Sequence, residues 1–178
     1  MTHLNYLIHL IHLNHSQFSI HKTLNLSHVI FQMLLNMTIQ EIENTIIEEF
    51  SCYEEWLDKY AYLIELGKEC PIIDEKDKTE NNLIKGCQSR VWLSASFEDG
   101  KLHFKADSDA VITKGIITLL IRALSDQTPQ DILAADLHFI DEIGLKEHLS
   151  PTRSNGLTSM VKQIKMYAIA YSTQANNQ

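Results

Sequence analysis

The sequence predicts an α+β domain in which a small antiparallel sheet of about three strands packs against helices. Three observations carry that expectation. Apolar residues recur at helical spacing from Ile39 to Ile64, alternate singly from Val91 to Ala106, and return to helical spacing from Ile112 to Ala168. Helices, then strands joined by a tight turn, then helices again describe segregated layers of sheet and helix. No internal repeat interrupts this order.

Each element has a local reason. Thr38 followed by Glu41 is a capping-box pattern, and Ile39, Ile42, Ile46, Ile47 and Phe50 then fall on one helical face. A second helix is expected over about residues 52–66, with Trp56, Leu57, Tyr60, Leu63 and Ile64 on its apolar side, Gly67 as its stop and Pro71 preventing continuation. Residues 74–82 read as a charged loop. Val91, Leu93 and Ala95 alternate with Trp92, Ser94 and Ser96. Asp99-Gly100 is a two-residue hairpin signal, and Leu102, Phe104 and Ala106 continue the alternation on the return. Residues 82–85 offer the third strand. Residues 111–124 are almost continuously apolar and predict a buried helix. Thr128-Pro129-Gln130-Asp131 starts a short helix with a Thr cap and Pro in its first turn. Another short helix precedes Gly144. Ser154 or Asn155 opens the last helix, which runs to about Tyr171 with Leu157, Val161, Ile164 and Ala168 inward.

The chain has 178 residues, 44% hydrophobic and 21% charged, with six Gly and three Pro. That composition fits one folded domain with a single core, not a disordered or low-complexity chain. The net charge of −8 gives no long-range attraction to phosphate backbones, so nucleic acid is not an expected partner. The charge is uneven. Residues 1–36 hold Lys22 as their only charged side chain and six of the nine histidines (His3, His9, His12, His15, His21, His28), so they carry +1 against −9 for residues 37–178. This leader lacks the basic start and uninterrupted apolar stretch of a signal peptide, the arginines of a transit peptide, and the ~20 apolar residues of a membrane span. His9, His12 and His15 share a spacing of three but have no carboxylate or thiol beside them, which is a weak metal motif. The leader reads as an upstream extension outside the folded unit and is expected to be poorly packed. The domain is expected over residues 37–172, followed by a polar tail over 173–178.

Chemistry has few places to reside. There is no phosphate-binding glycine loop, no G-x-S-x-G and no H-E-x-x-H. Cys52, Cys70 and Cys87 are separated by 17 and 16 residues, without a C-x-x-C or a close pair resembling a zinc or iron–sulfur ligand set. Three cysteines cannot all pair within one chain, so free thiols in a reducing, cytoplasmic compartment are expected. Cys52 and Cys70 read as small buried hydrophobes. Cys87 differs: Gly86 permits a tight turn, and Cys87 then sits where the charged loop meets the first secure strand, with Gln88 and Ser89 able to hold the loop or hydrogen-bond a sulfur anion.

Gly86-Cys87-Gln88-Ser89-Arg90-Val91-Trp92 closely resembles the active-cysteine segment of the SufE family and its CsdE paralogues, sulfur acceptors of iron–sulfur assembly. The likeness extends to residues 53–67, to Ala106-Asp107-Ser108-Asp109-Ala110 with Lys114-Gly115, and to residues 148–157. Together these segments cover about residues 37–171 in the family's order and leave the leader outside.

The resemblance implies a SufE/IscU-like fold and a sulfur relay. A cysteine desulfurase of the SufS or CsdA type, which carries the pyridoxal phosphate, holds sulfur as a persulfide. Cys87 takes that sulfur, stimulates the desulfurase, and delivers it to a SufB-like scaffold or another acceptor. Asp107 and Asp109 match the family's turn acids, with capping of the helix at Val111 as an equally good role. Arg153 matches a family arginine at the docking surface, or is a solvated charge. His148 and Trp92 read as a helix-end residue and a core residue. No cofactor or metal of its own, no membrane, and a monomer or weak homodimer complete what the likeness implies. An IscU-type iron–sulfur scaffold and a stand-alone thiol redox protein are the alternatives. The first needs about three convergent ligands, the second a resolving cysteine or perturbed thiol.

Overall fold

The computed structural model describes residues 37–175. The leader, read above as an upstream extension, and the last three residues of the polar tail lie outside the described residues. Helix α1 (Ile39–Ser51) begins in a reciprocal box: the Glu41 N–H donates to Thr38 Oγ1 at 3.3 Å, and the Thr38 N–H donates to Glu41 Oε2 at 2.8 Å. Helix α2 (Trp56–Lys68) starts later than the sequence suggests. Cys52 caps the end of α1 instead of opening α2; it is exposed, its thiol donating to the Glu48 carbonyl at 3.5 Å. Leu57, expected inward, is 79% exposed. At 3.6 residues per turn it stands about 120° around the helix from buried Leu63.

Gly67 does not stop α2. The helix continues through Lys68, and Gly67 packs against helix α3 (Val111–Leu124). A Cβ on Gly67 would stand 3.1 Å from Gly115 N, and one on Gly115 would stand 2.2 Å from the Leu63 carbonyl oxygen. The two glycines thus let α2 and α3 approach until backbone meets backbone. A bidentate ion pair fastens α3 to α1: Arg122 reaches Glu49 at 2.5 and 2.8 Å, and the Tyr62 hydroxyl of α2 donates to the same carboxylate at 2.8 Å.

Strands β1 (Val91–Glu98) and β2 (Lys101–Ser108) pair antiparallel from Val91–Ser108 to Glu98–Lys101. Asp99 and Gly100, at φ +51° and +78°, close the hairpin with the left-handed pair that matches strand twist. Leu102, Phe104 and Ala106 are buried, as their alternation requires. The expected third strand is reduced to one antiparallel bridge, Leu83 to Trp92, with bonds from Ile84 N to Val91 O at 2.8 Å and from Leu93 N to Asn82 O at 2.9 Å. Turns on both sides leave no length for a ladder: residues 79–81 are turn and bend, and Gly86 redirects the chain at φ +93°. The sheet is therefore two-stranded.

Helix α3 is the central element, packing on α1, α2, β2 and the last helix, and ten of its fourteen residues are buried, which leaves it no solvent face to speak of. Thr128 caps α4 (Pro129–Ala134), accepting from the Asp131 N–H at 3.1 Å. The short α5 (Phe139–Glu142) and α6 (Leu145–His148) flank Gly144. Helix α7 (Pro151–Ala175) starts three residues before Ser154, with Pro at its first position where no N–H is needed. It runs past Tyr171, so residues 173–175, read as tail, are its last turn. Met160 joins Leu157, Ile164 and Ala168 on its buried face.

Candidate functional site

The loop carrying Cys87 lies on the first turns of α7, held there by two glycines. Gly86 needs its positive φ, and a Cβ on it would stand 2.7 Å from the Ser159 hydroxyl. Gly156 is buried, and a Cβ there would stand 3.4 Å from Cys87 Sγ. The half-buried Cys87 thiol donates to the Gly156 carbonyl at 3.7 Å, and burial pushes its pKa above the ordinary thiol value. The resting side chain is a sheltered thiol, not a thiolate.

That thiol forms part of the wall of a cleft of about 530 Å³. The loop contributes Cys87, Gln88 and Ser89; the turn before α3 contributes Asp109; the start of α7 contributes Thr152 and Arg153. Ile112, Ile116 and Met160 give it an apolar floor, and Val111, 64% exposed, opens it to solvent. Thr113 Oγ1 donates to Ser89 Oγ at 3.5 Å, linking α3 to the loop. Arg153 is exposed and makes no ion pair among the described residues.

The two turn acids take different places. Asp109 bonds Arg90 twice: its Oδ1 accepts the Arg90 N–H at 3.0 Å, and its own N–H donates to the Arg90 carbonyl at 3.3 Å, tying the base of the cysteine loop to the turn before α3. Asp107 does not line the cleft. It pairs with Lys78 at 2.7 Å and Lys114 at 2.8 Å. Burial alone would raise its pKa, but hydrogen bonds from Lys114, Lys78 and the Ser108 N–H outweigh this and hold it at about 2. Neither acid caps α3, whose N-cap is Ala110 without a side-chain bond: Asp107 is held by two lysines, and Asp109 Oδ1 by the Arg90 N–H.

His148 lies outside the cleft, stacked on Trp56 with centroids 3.9 Å apart and its Nδ1 3.0 Å from the Gly144 carbonyl. Trp92 is buried, as expected, beneath the Arg90 guanidinium at 4.6 Å. Cys70 is buried and its thiol donates to the Ala106 carbonyl at 3.4 Å, burial raising its pKa. Among the described residues no group of three or more His, Cys, Asp or Glu side chains has a metal-site arrangement, and no helix is long and apolar enough to cross a membrane. Sequence reasoning missed Gly156, Ser159, Thr113 and Thr152. Gly156 stood in a matching segment, yet nothing local marks it as the seat of a thiol so distant in sequence.

Comparison with known proteins places this geometry. The family model SufE, described as an Fe–S metabolism associated domain, matches residues 44–168. An uncharacterised SufE-like protein of Rhizobium meliloti (strain 1021) is 41% identical over 128 residues, covering 69% of this chain and 91% of that protein. The solution structure of a hypothetical protein from Thermus thermophilus superposes with a TM-score of 0.63 at 22% identity, covering 74% of this chain and 96% of that one, a likeness of fold.

Proposed function

The chain belongs to the SufE family of Fe–S metabolism domains, and on that premise we propose that Cys87 accepts the terminal sulfur of a persulfide held by a cysteine desulfurase and passes it on for iron–sulfur cluster assembly. The observation that carries this reading is the Cys87 thiol in the wall of an open cleft, while Cys70 is buried and Cys52 lies outside that cleft.

The exchange balances without an oxidant. The Cys87 thiolate attacks the outer sulfur of the partner's persulfide, a new Sγ–S bond forms, and the partner's S–S bond breaks to release its thiolate. The proton lost by Cys87 ends on that leaving thiolate. Removing the sulfur frees the desulfurase for another turnover, which is how an acceptor stimulates it. The chain needs no cofactor of its own for this step; the pyridoxal phosphate that frees the sulfur belongs to the SufS- or CsdA-like partner. Burial keeps the resting thiol protonated, so docking must lift it from Gly156 or bring positive charge to it. The recipient is a SufB-like scaffold or another acceptor.

Mass spectrometry after incubation with a cysteine desulfurase and L-cysteine tests this. The wild type and Cys52→Ser are expected to gain one sulfur on Cys87, and Cys87→Ser none while still binding the desulfurase. Sulfur retained by Cys87→Ser, or mapped to Cys52, overturns the proposal. Alkylation of Cys87 is expected to quicken when the desulfurase is added.

A further inference from the structure

We infer that the Cys87 cleft is also a binding site for a free cysteine-type amino acid, held through its carboxylate by Arg153 and its ammonium by Asp109, and that such a small thiol can receive the sulfur Cys87 carries. The second half rests on the function proposed above; the first does not.

Four features of the cleft point this way. Its volume of about 530 Å³ lies in the range of small-molecule sites, about 300–1,000 Å³, and far exceeds the needs of one sulfur atom. Its floor of Ile112, Ile116 and Met160 suits a short apolar stem. Arg153 lines the cleft and makes no ion pair among the described residues, and a guanidinium matches a carboxylate in a bidentate fork. Asp109 lines the same cleft and commits only Oδ1 to the Arg90 N–H, so Oδ2 can accept from an ammonium. A protein partner's cysteine arrives on a peptide backbone with neither charge. Only a free amino acid presents both together beside its thiol.

With sulfur on Cys87, the incoming thiolate attacks the outer sulfur of the Cys87 persulfide. A new S–S bond forms on the small thiol, the Sγ–S bond breaks, and the small thiol's proton passes to Cys87. The sulfane sulfur moves intact and nothing is oxidised or reduced overall.

The first test uses the full chain without sulfur and a ligand that cannot react. S-methyl-L-cysteine is expected to slow iodoacetamide alkylation of Cys87 by roughly tenfold at about ten times its dissociation constant, with Cys52 as an unprotected reference on the same chain. 3-(Methylthio)propionate, lacking the ammonium, and 2-(methylthio)ethylamine, lacking the carboxylate, are expected to protect little. Arg153→Gln and Asp109→Asn should each abolish protection; the asparagine keeps an acceptor for the Arg90 N–H, so the loop stays tied. No protection by S-methyl-L-cysteine, or equal protection by all three compounds, overturns the site. In a second arm the persulfide-loaded chain is offered L-cysteine, cysteamine or 3-mercaptopropionate, and transfer to L-cysteine is expected to be fastest and to slow in both variants. Equal rates overturn the acceptor role. Failure of the desulfurase to load Cys87 at all would instead count against the proposed function and leave the protection result standing.

Discussion

Asp107 and Asp109 sit two residues apart in one motif, yet only one of them faces the cleft. Asp107 is an anchor between Lys78 and Lys114, and its carboxyl is held at about 2 against an ordinary value of 3.8. A depressed folded-state pKa contributes stability that is fully present above the ordinary value and lost as pH falls through about 2. Asp107→Asn is therefore expected to cost about 1–2 kcal/mol at pH 7, the modest figure allowing for partial exposure, and its urea-unfolding curve should converge on the wild type as pH approaches 2. A gap that stays constant down to that pH would show that the cost does not come from the carboxylate's charge. The division of labour between these acids was not legible in the sequence. Both match the same turn, and only the folded chain brings Lys78 to one and the Arg90 backbone to the other. The cysteine loop itself was legible, because Gly86 and Cys87 are consecutive and the turn is local. Its seat on Gly156 was not, since α7 supplies it from far along the chain.

At the scale of elements, what the sequence announces is what each segment does alone. The Thr38–Glu41 box, the Asp99-Gly100 turn and the Thr128 cap are all satisfied inside four residues, and all three form as expected. What it conceals is how elements meet. Gly67 looks like a helix stop because glycine usually ends helices, but here it and Gly115 create the close contact of α2 with α3. Gly115→Ala would normally favour a helix by up to about 1 kcal/mol. With its Cβ 2.2 Å from the Leu63 carbonyl oxygen, a backbone atom that cannot swing aside, the substitution is instead expected to destabilise by about 2–3 kcal/mol, read as a lowered denaturant midpoint. Gly100→Ala is a fitting contrast: nothing lies within 4 Å of its Cβ, so its cost comes only from the φ of +78°. If Gly115→Ala proves neutral, α2 and α3 do not pack backbone to backbone.

At the scale of the whole molecule, the first helix is closed onto a segment almost one hundred residues later by a buried acid. Glu43 is 3% exposed on α1 and its Oε2 meets His138 Nδ1 at the start of α5, while Oε1 has no hydrogen-bond partner among the described residues. The neighbouring Leu137 adopts φ +57°, an unusual conformation for a leucine, so the turn is bent to deliver this contact. Burial raises the Glu43 pKa, Asp136 adds to the rise, and His138 with the Leu137 N–H opposes it; the net direction is upward. A raised folded-state pKa contributes stability that is complete below the ordinary value of 4.5 and is lost as pH climbs through the folded value, because a charge then forms with one oxygen unsolvated. Each unit of elevation corresponds to about 1.4 kcal/mol. Glu43→Gln keeps the shape and cannot ionise, so the unfolding free energy of the wild type should fall relative to that of the variant as pH rises above 4.5. A gap between variant and wild type that stays constant, or that moves in the wild type's favour as the pH rises, would show that ionisation of Glu43 does not weaken the fold.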